Sequence, residues 1–131
     1  MAVGAAVPGT RKRVLLVDDS ATILMMEKMI LLRGPYDVVT ARDGMEALEK
    51  ARTERPDLIL LDVVMPRMDG FETCRQLREQ DETRDTPVIF VTTRGETENM
   101  ENAFRSGASD HVTKPINAAE LLAKLRTHLG D

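Results

Sequence analysis

The chain has 131 residues, of which 42% are hydrophobic and 31% are charged, and its formal net charge is -4 at pH 7. That length suits a single domain with one core, and the composition is typical of a globular protein rather than a disordered one. No apolar run approaches the roughly 20 residues of a membrane-spanning helix, and the negative charge argues against non-specific binding to nucleic acid.

The first residues predict a leader outside the folded domain. Residues 1–10 are small and weakly apolar, without the basic and then hydrophobic order of a signal peptide. We expect residues 1–12 to form a flexible leader and residues 13–131 to form the domain. The single cysteine, Cys74, excludes an internal disulfide and fits a reducing, cytoplasmic compartment.

A basic triplet, Arg11-Lys12-Arg13, lies at the edge of this leader. Such a triplet is more often the solvated entry to a strand than an arm that binds nucleic acid, and it is short for the second role. We therefore expect neither a nucleic-acid partner nor a membrane partner.

Short apolar runs alternate with capped helical segments along the rest of the chain. In chain order the predicted elements are strand 14–17, helix 21–33, strand 36–40, helix 44–54, strand 57–62, helix 70–80, strand 88–91, helix 96–106, strand 111–113 and helix 118–129. Asp43 with Glu46, and Asp69 with Glu72, have the spacing of a capping box. The alternation implies right-handed crossovers and an α/β fold, with helices covering both faces of a parallel sheet.

The third predicted strand is the most apolar and ends in a carboxylate. Residues 58–61 have the sequence Leu-Ile-Leu-Leu, Asp62 follows them, and Pro56 and Pro66 bound the run. A continuous apolar run of this length is typical of a strand buried on both faces. The acid at its carboxyl end then lies at the rim of the sheet, where open α/β folds place their ligands.

Other predicted strands also end in polar side chains. Asp18 and Asp19 follow the first strand, Thr92 follows the fourth and Lys114 follows the fifth. If the first and third strands are neighbours, three carboxylates converge and repel one another unless a cation lies between them. Carboxylate oxygens suit Mg²⁺, and a metal beside a lysine makes a pocket for a dianionic group such as phosphoryl. The alternative is that each residue is an unrelated cap at a strand end.

These residues occur in an order that resembles the receiver domain of bacterial two-component response regulators. The motifs that carry the resemblance are Val17-Asp18-Asp19-Ser20, Leu61-Asp62-Val63-Val64-Met65-Pro66 with Asp69-Gly70, Val91-Thr92 and Lys114-Pro115-Ile116. The resemblance covers residues 13–129 and looks most like a stand-alone receiver of the chemotaxis-regulator type. It implies a flavodoxin-like (βα)5 doubly wound parallel sheet with strand order 2-1-3-4-5, in one receiver domain over residues 13–131.

The resemblance implies that Asp62 is the phosphoacceptor. Its carboxylate would take a phosphoryl group from a phosphohistidine of a sensor histidine kinase or a histidine phosphotransfer protein. Mg²⁺ would be ligated by Asp19, Asp62 and the backbone carbonyl of Val64, with Asp18 acting mainly through water. On this interpretation the protein is not an enzyme for outside substrates, because it catalyses only its own phosphorylation and dephosphorylation.

The resemblance also implies a conformational switch. Lys114 and Thr92 would bind the phosphoryl oxygens, and the bond before Pro115 is a candidate for a cis peptide bond. Thr92 would move toward the phosphoryl group and vacate space that Tyr or Phe usually fills in the family, whereas this chain has His111. We expect inward packing to favour the neutral ring of His111, so that the switch weakens as pH falls. The alternative is an ordinary, partly exposed strand-end histidine.

The first helix is more apolar than contact with the sheet requires. At about 100° per residue it carries two apolar stripes: Ile23, Met26 and Ile30 on one face, and Met25, Met29 and Leu32 on roughly the opposite face. We expect the first stripe to pack on the sheet and the second to dock the kinase, since methionines suit adaptable partner surfaces. The alternative is that the second stripe is also core, under the leader or at a crowded helix end.

Output is predicted on the surface of the fourth helix, the fifth strand and the last helix, toward a downstream protein that the sequence does not identify. Charged residues of both signs lie there: Glu98, Glu101, Arg105, Lys124 and Arg126.

The sequence thus predicts a cytoplasmic, single-domain response regulator that signals by phosphorylation-dependent protein–protein interaction, in chemotaxis, motility or another relay. Two alternatives stay open at this point, a scaffold receiver that works without phosphorylation and a phosphate sink. A hydrolase that uses Asp62 as a covalent nucleophile is disfavoured, because neither a lid domain nor a general acid–base partner is evident.

Overall fold

The computed structural model describes residues 11–93 and 107–130. The strands in these ranges are β1 (Lys12–Val17), β2 (Tyr36–Ala41), β3 (Leu58–Asp62), β4 (Val88–Thr92) and β5 (Asp110–Thr113). They form one parallel sheet in the order β2-β1-β3-β4-β5. The predicted α/β fold with strand order 2-1-3-4-5 is confirmed.

The helices within the described ranges are α1 (Ala21–Leu31), α2 (Gly44–Glu54), α3 (Gly70–Glu79) and α4 (Ala118–Leu129). The residue before each helix accepts a hydrogen bond from a backbone N–H in the first turn, and these capping residues are Ser20, Asp43, Asp69 and Asn117. Each cap satisfies a donor that the helix itself leaves free. None of these helices has the length and apolarity needed to cross a membrane. The helix predicted over residues 96–106 lies outside the described residues.

Apolar layers cover both faces of the sheet. Leu31 of α1 and Leu121 of α4 are fully buried in one layer, and Ala47 of α2 and Leu77 of α3 are fully buried in the other. All residues of β3 and β4 are buried, as the continuous apolar runs predict for central strands. This packing fixes the carboxyl ends of the strands at one edge of the sheet.

Some boundaries differ from the predicted ones by one or two residues. β1 begins at Lys12, inside the predicted leader, because Lys12 pairs with Tyr36 of β2. α1 ends at Leu31 rather than at residue 33, because the N–H groups of Arg33 and Gly34 donate to carbonyls three residues earlier, at 3.1 and 2.9 Å, a tighter pattern than the α-helix. The other differences are β2 ending at Ala41, β3 beginning at Leu58, α3 ending at Glu79, β4 ending at Thr92 and β5 beginning at Asp110.

The face of α1 that packs on the sheet differs from the predicted one. Its buried residues are Leu24, Glu27, Ile30 and Leu31. Ile30 therefore lies as predicted and Ile23 is half-buried, but the prediction was wrong for Met26, which is 42% exposed. The physical reason is that Leu24 and Leu31, seven residues apart, define the inward line of the helix, and Met26 lies about 200° around from Leu24.

Candidate functional site

The carboxyl ends of β1 and β3 bring three acidic side chains together. Val17 pairs with Leu61 across these neighbouring strands, so Asp18 and Asp62, the residues that follow, lie beside each other at the sheet edge. One carboxylate oxygen from each of Asp18, Asp19 and Asp62 lies within 4.8 Å of the others. The first and third strands are thus neighbours, which is the condition that the predicted convergence required.

Two of the three acids are buried. Asp18 is 1% exposed and Asp62 is 5% exposed, whereas Asp19 is exposed. The N–H of Asp18 donates to the carbonyl of Ala41 (3.2 Å), and the Asp18 carboxylate accepts from the N–H of Ser20 (2.9 Å). These bonds tie the loop after β1 both to β2 and to the start of α1.

A single ammonium group lies against both buried acids. Nζ of Lys114 is 3.3 Å from Oδ1 of Asp62 and 3.4 Å from Oδ2 of Asp18. The backbone N–H of Lys114 donates to the carbonyl of Thr92 (2.7 Å), which extends the pairing of β4 with β5 as far as the site. The peptide bond between Lys114 and Pro115 is cis.

The site holds its phosphoacceptor candidate in an unusual electrostatic environment. Burial, and then the negative charge of Asp18, raise the pKa of Asp62 to about 6, although the Lys114 ammonium opposes the rise. Burial alone would lower the pKa of Lys114, but the carboxylates of Asp62 and Asp18 outweigh it and raise that pKa. A carboxylate that is buried, ionised near neutral pH and paired with one cation can act as a nucleophile toward a phosphoryl group.

The donor set fits a hard divalent cation. The oxygens of Asp18, Asp19 and Asp62 are close enough to share one ion, and Mg²⁺ prefers such oxygen ligands while keeping water in its remaining positions. The partial exposure of the cluster through Asp19 leaves room for that water. Val64, the fourth predicted ligand, lies in the loop after β3, and its side chain is 62% exposed.

A glycine shapes the loop that carries these groups. A Cβ at Gly70 would lie 2.4 Å from the carbonyl oxygen of Asp62 and 2.8 Å from Cα of Val63. Because both of these atoms belong to the backbone, neither can move aside. The N–H of Gly70 donates to the carbonyl of Val63 (2.8 Å), so the start of α3 closes directly onto the end of β3.

Thr92 faces β5 in this structure. It is 2% exposed, and its hydroxyl donates to the carbonyl of Val112 (3.4 Å). The hydroxyl therefore has a partner on the neighbouring strand, and a move toward Asp62 would break that bond.

His111 is half-buried and lies in a polar network between β5 and α4. Its N–H donates to the carboxylate of Asp110 (2.8 Å), and its carbonyl accepts from Nζ of Lys124 (2.9 Å). Asp110 also contacts Nζ of Lys124 (2.8 Å) and Nε2 of His128 (3.0 Å). Burial would raise the pKa of Asp110, but the bonds from Lys124, His128 and the His111 N–H lower it to about 2. The backbone of His111 is thus anchored to the last helix.

The predicted docking stripe on α1 lies at the surface. Met25 is 66% exposed, Met29 is 64% exposed and Leu32 is 58% exposed. A shallow groove beside Met25 also includes the exposed side chains of Lys28 and Arg42. We call these five residues the α1 face. Their exposure excludes the alternative in which the stripe packs into the core of the described residues.

Sequence reasoning missed Glu27. This residue is 1% exposed, and among the described residues its two carboxylate oxygens are the only buried side-chain oxygens without a hydrogen-bond partner. Burial, and then the charge of Asp18, raise its pKa to about 8. The signal was present in the sequence, because Leu24, Glu27 and Leu31 have the i, i+3, i+7 spacing of a single helix face.

Comparison with known proteins agrees with this geometry. The family model of the response regulator receiver domain matches residues 14–126. The alkaline phosphatase synthesis transcriptional regulatory protein PhoP of Bacillus subtilis is 42% identical over 118 residues, which are 90% of this chain and 48% of PhoP. The chain thus spans about half the length of this relative.

Two solved structures resemble the whole domain. The chemotaxis protein CheY4 of Vibrio cholerae superposes with a TM-score of 0.86 at 39% identity, covering 91% of this chain and 99% of CheY4. The receiver domain of the sensor histidine kinase PA1611 from Pseudomonas aeruginosa superposes with a TM-score of 0.85 at 30% identity, covering 93% of this chain and 100% of that domain. A magnesium ion is coordinated in the active-site cleft of the second structure.

Proposed function

Because the chain belongs to the response regulator receiver domain family, whose model matches residues 14–126, we propose that it accepts a phosphoryl group on Asp62 and signals by phosphorylation-dependent protein–protein interaction. The observation that carries the proposal is the position of Lys114, whose ammonium lies 3.3 Å from Asp62 and 3.4 Å from Asp18 beside a cluster of three acids. That arrangement offers a nucleophile and a cation to one incoming phosphoryl group.

The proposed step is a transfer between two side chains. A carboxylate oxygen of Asp62 donates an electron pair to the phosphorus of a phosphohistidine on a histidine kinase or phosphotransfer protein. The phosphorus–nitrogen bond of the donor breaks, its electron pair returns to the imidazole, and the product is an acyl phosphate on Asp62. The protein turns over no outside substrate in this scheme, and water later hydrolyses the acyl phosphate.

Charge neutralisation is the main task of the surrounding groups. The phosphoryl oxygens carry their negative charge through a loose transition state, and the Lys114 ammonium is placed to bind one of them. Asp18, Asp19, Asp62 and the carbonyl of Val64 would hold Mg²⁺, which when bound supplies positive charge to the remaining oxygens.

Signalling is proposed to pass from Thr92 to β5. Once the acyl phosphate forms, the Thr92 hydroxyl exchanges its bond to the Val112 carbonyl for a bond to a phosphoryl oxygen. Thr92 pairs with Thr113 of β5, on the same face of the sheet as His111 two residues earlier. The backbone of His111 is anchored to α4 through Asp110 and Lys124. A shift of β5 therefore changes the surface that β5 and α4 present to a downstream protein.

The pathway we favour is chemotaxis or motility in the cytoplasm. The support is the similarity of the domain to CheY4, a chemotaxis protein, with a TM-score of 0.86 at 39% identity.

The α1 face is proposed to dock the phosphohistidine donor. It combines exposed methionines, which adapt to a partner helix, with Lys28 and Arg42 in the groove beside Met25. The cations favour a donor surface with carboxylates around an apolar centre. Docking there would bring the donor to the loop after β1, which contains Asp18 and Asp19.

The phosphoacceptor is tested by intact mass measurement after treatment with acetyl phosphate and Mg²⁺. We expect wild type to gain the mass of one phosphoryl group, and Asp62→Asn to gain none. Asp85→Asn, which removes an exposed aspartate away from the site, is the matched control and should behave as wild type. If well-folded wild type gains no mass with the metal present, the protein acts as a scaffold rather than as a phosphoacceptor.

Docking is tested separately, with the cognate kinase as donor. Met25→Glu and Met29→Glu should slow transfer from the kinase at least about tenfold, because each places a charge in an apolar contact, while phosphorylation by acetyl phosphate stays unchanged. Met45→Glu on α2 is the control, since Met45 is 65% exposed but lies outside the α1 face. Equal loss by both donor routes would show that the methionines are structural.

A further inference from the structure

A cavity of about 200 Å³ opens at the end of the sheet opposite to Asp62. Lys12 and Tyr36, the first residues of β1 and β2, line it together with Arg33 after α1 and Arg126 in the last turn of α4. Because the acids lie where parallel strands end and this cavity lies where they begin, the two features share no residue. The proposed phosphorylation chemistry does not use the cavity.

Three cationic side chains line this cavity, and none of them has an anionic partner within the part of the chain that the structure describes. No carboxylate in residues 11–93 or 107–130 forms an ion pair with Lys12, Arg33 or Arg126. The two arginines that flank Lys12 do have partners: Arg11 with Asp37 at 2.8 Å, and Arg13 with Glu54 at 3.4 Å. The basic triplet therefore divides into two paired cations on one side of β1 and one cation that faces the cavity.

The helix ends nearby compensate only part of this charge. α1 and α4 both end at the cavity, and the C-terminus of a helix carries roughly half a negative charge. Two helix ends thus offset about one of the three positive charges. The chain as a whole has a net charge of -4, so the positive charge around this cavity is opposite in sign to the overall charge of the protein.

One wall of the cavity is apolar and tightly packed. Tyr36 is 4% exposed, and Pro35 and Leu122 lie beside it. A Cβ at Gly34 would lie 2.7 Å from the Tyr36 ring, so the ring packs directly on the backbone of the turn after α1. The volume is below the roughly 300 Å³ at which pockets for drug-sized ligands begin, which limits the occupant to a small molecule.

We propose that this cavity binds a small organic anion in which a phosphate, phosphonate or carboxylate group is joined to a compact apolar body. The anionic group lies among Lys12, Arg33 and Arg126, and the apolar body rests on Tyr36 and Leu122. Binding of such a ligand would be a second signal to the protein. It would act at the C-terminal end of α1, which is remote from the phosphoacceptor.

The test is an NMR titration of the metal-free 131-residue chain with phenylphosphonate, which follows the backbone amides of Gly34, Leu122 and Gly130. We expect shifts that saturate and report one site. Arg33→Gln and Arg126→Gln should each weaken binding at least about fivefold, because each removes a charged hydrogen-bond donor. Arg11→Gln, whose cation already has a carboxylate partner, should bind as wild type.

Inorganic phosphate provides the comparison that tests the apolar wall, and we expect it to bind at least about fivefold more weakly than phenylphosphonate. Equal affinity for the two anions would overturn the proposal, as would shifts that do not saturate. Binding that survives both Arg33→Gln and Arg126→Gln in proteins with wild-type spectral dispersion would also overturn it.

Discussion

The ammonium of Lys114 lies 3.3 Å from the carboxylate of Asp62, and this contact limits how far burial can raise the pKa of that acid. Burial and the charge of Asp18 raise the pKa to about 6 while Lys114 lowers it. Lys114→Met removes the opposing charge but keeps an unbranched apolar side chain. We therefore expect the pKa of Asp62 to rise above about 6 in the variant, measured from the side-chain carboxyl carbon by NMR in metal-free protein.

The matched control for this measurement is Lys50→Met on α2, where the ammonium pairs with Glu46 at 3.1 Å away from the site. That variant should leave the pKa of Asp62 as it is in wild type. An unchanged pKa in Lys114→Met would mean that solvent screens the contact and that Lys114 acts only on the phosphoryl group.

Binding of Mg²⁺ should depend on pH because a metal ligand must be ionised. With a pKa of about 6, Asp62 is largely ionised at pH 8 and largely protonated at pH 5. Below about pH 6 the cation has to displace a proton, so affinity should fall as pH falls, by up to about tenfold per pH unit for one proton. Above that range Asp62 contributes no further pH dependence. Calorimetric titration with Mg²⁺ at pH 5, 6, 7 and 8 measures the slope.

Asp62→Asn tests whether Asp62 is the group that makes Mg²⁺ binding depend on pH, because the variant removes its carboxyl group. The variant should bind Mg²⁺ more weakly than wild type at pH 8, and its affinity should change less than that of wild type between pH 5 and pH 6. The same affinity for wild type at pH 5 and pH 8 would contradict a raised pKa at Asp62.

Thr92 is expected to transmit phosphorylation rather than to support it. Thr92→Val keeps the shape of the side chain and removes the hydroxyl that donates to the Val112 carbonyl at 3.4 Å. We expect beryllofluoride with Mg²⁺ to bind at Asp62 in this variant, whereas the accompanying amide shifts of Val112 and Thr113 become much smaller than in wild type. Thr92→Ser keeps a hydroxyl and should restore those shifts. Shifts of β5 that are equal in wild type and Thr92→Val would exclude the hydroxyl as the link.

Local sequence patterns predicted the alternation of strands and helices and the acids at the strand ends, but not the order of the strands in the sheet. Apolar runs and capping residues are local signals, so they placed the strands, α2 and the strand-end residues Asp18 and Asp62. The strand order came from the resemblance, because alternation of strands and helices does not determine which strands are neighbours. The contact of Lys114 with both buried acids depends on that order, since β1, β3 and β5 are far apart in the chain.

The sequence was least informative about α1 and the remote cavity. α1 is apolar on several sides, so periodicity alone did not single out its buried face, and Met26 was assigned to it although Met26 is 42% exposed. Glu27 was overlooked because a charged residue is expected at the surface. The cavity combines Lys12, Arg33 and Arg126 from three parts of the chain, and no local pattern connects them.

Glu27 should make the protein less stable as pH rises. Its pKa in the folded protein is about 8, compared with an ordinary value of 4.5. Between these values the folded state holds a proton that the unfolded state has lost, so the free energy of unfolding falls by about 1.4 kcal/mol per pH unit. Below pH 4.5 the group contributes no such loss, and above about pH 8 the loss is complete. At pH 7 the cost is on the order of 3 kcal/mol.

Glu27→Leu removes this cost and fills the same apolar layer, between Leu24 and Leu31. We expect the free energy of unfolding of the variant to exceed that of wild type by about 3 kcal/mol at pH 7 and by much less at pH 5, measured by urea unfolding in EDTA. Glu27→Gln should lose the same pH slope but gain less stability, because its amide stays buried without a partner. Glu49→Gln on the exposed side of α2 controls for general loss of charge and should change little. Identical pH slopes in wild type and Glu27→Leu would show that Glu27 gains a hydrogen-bond partner or solvent in solution.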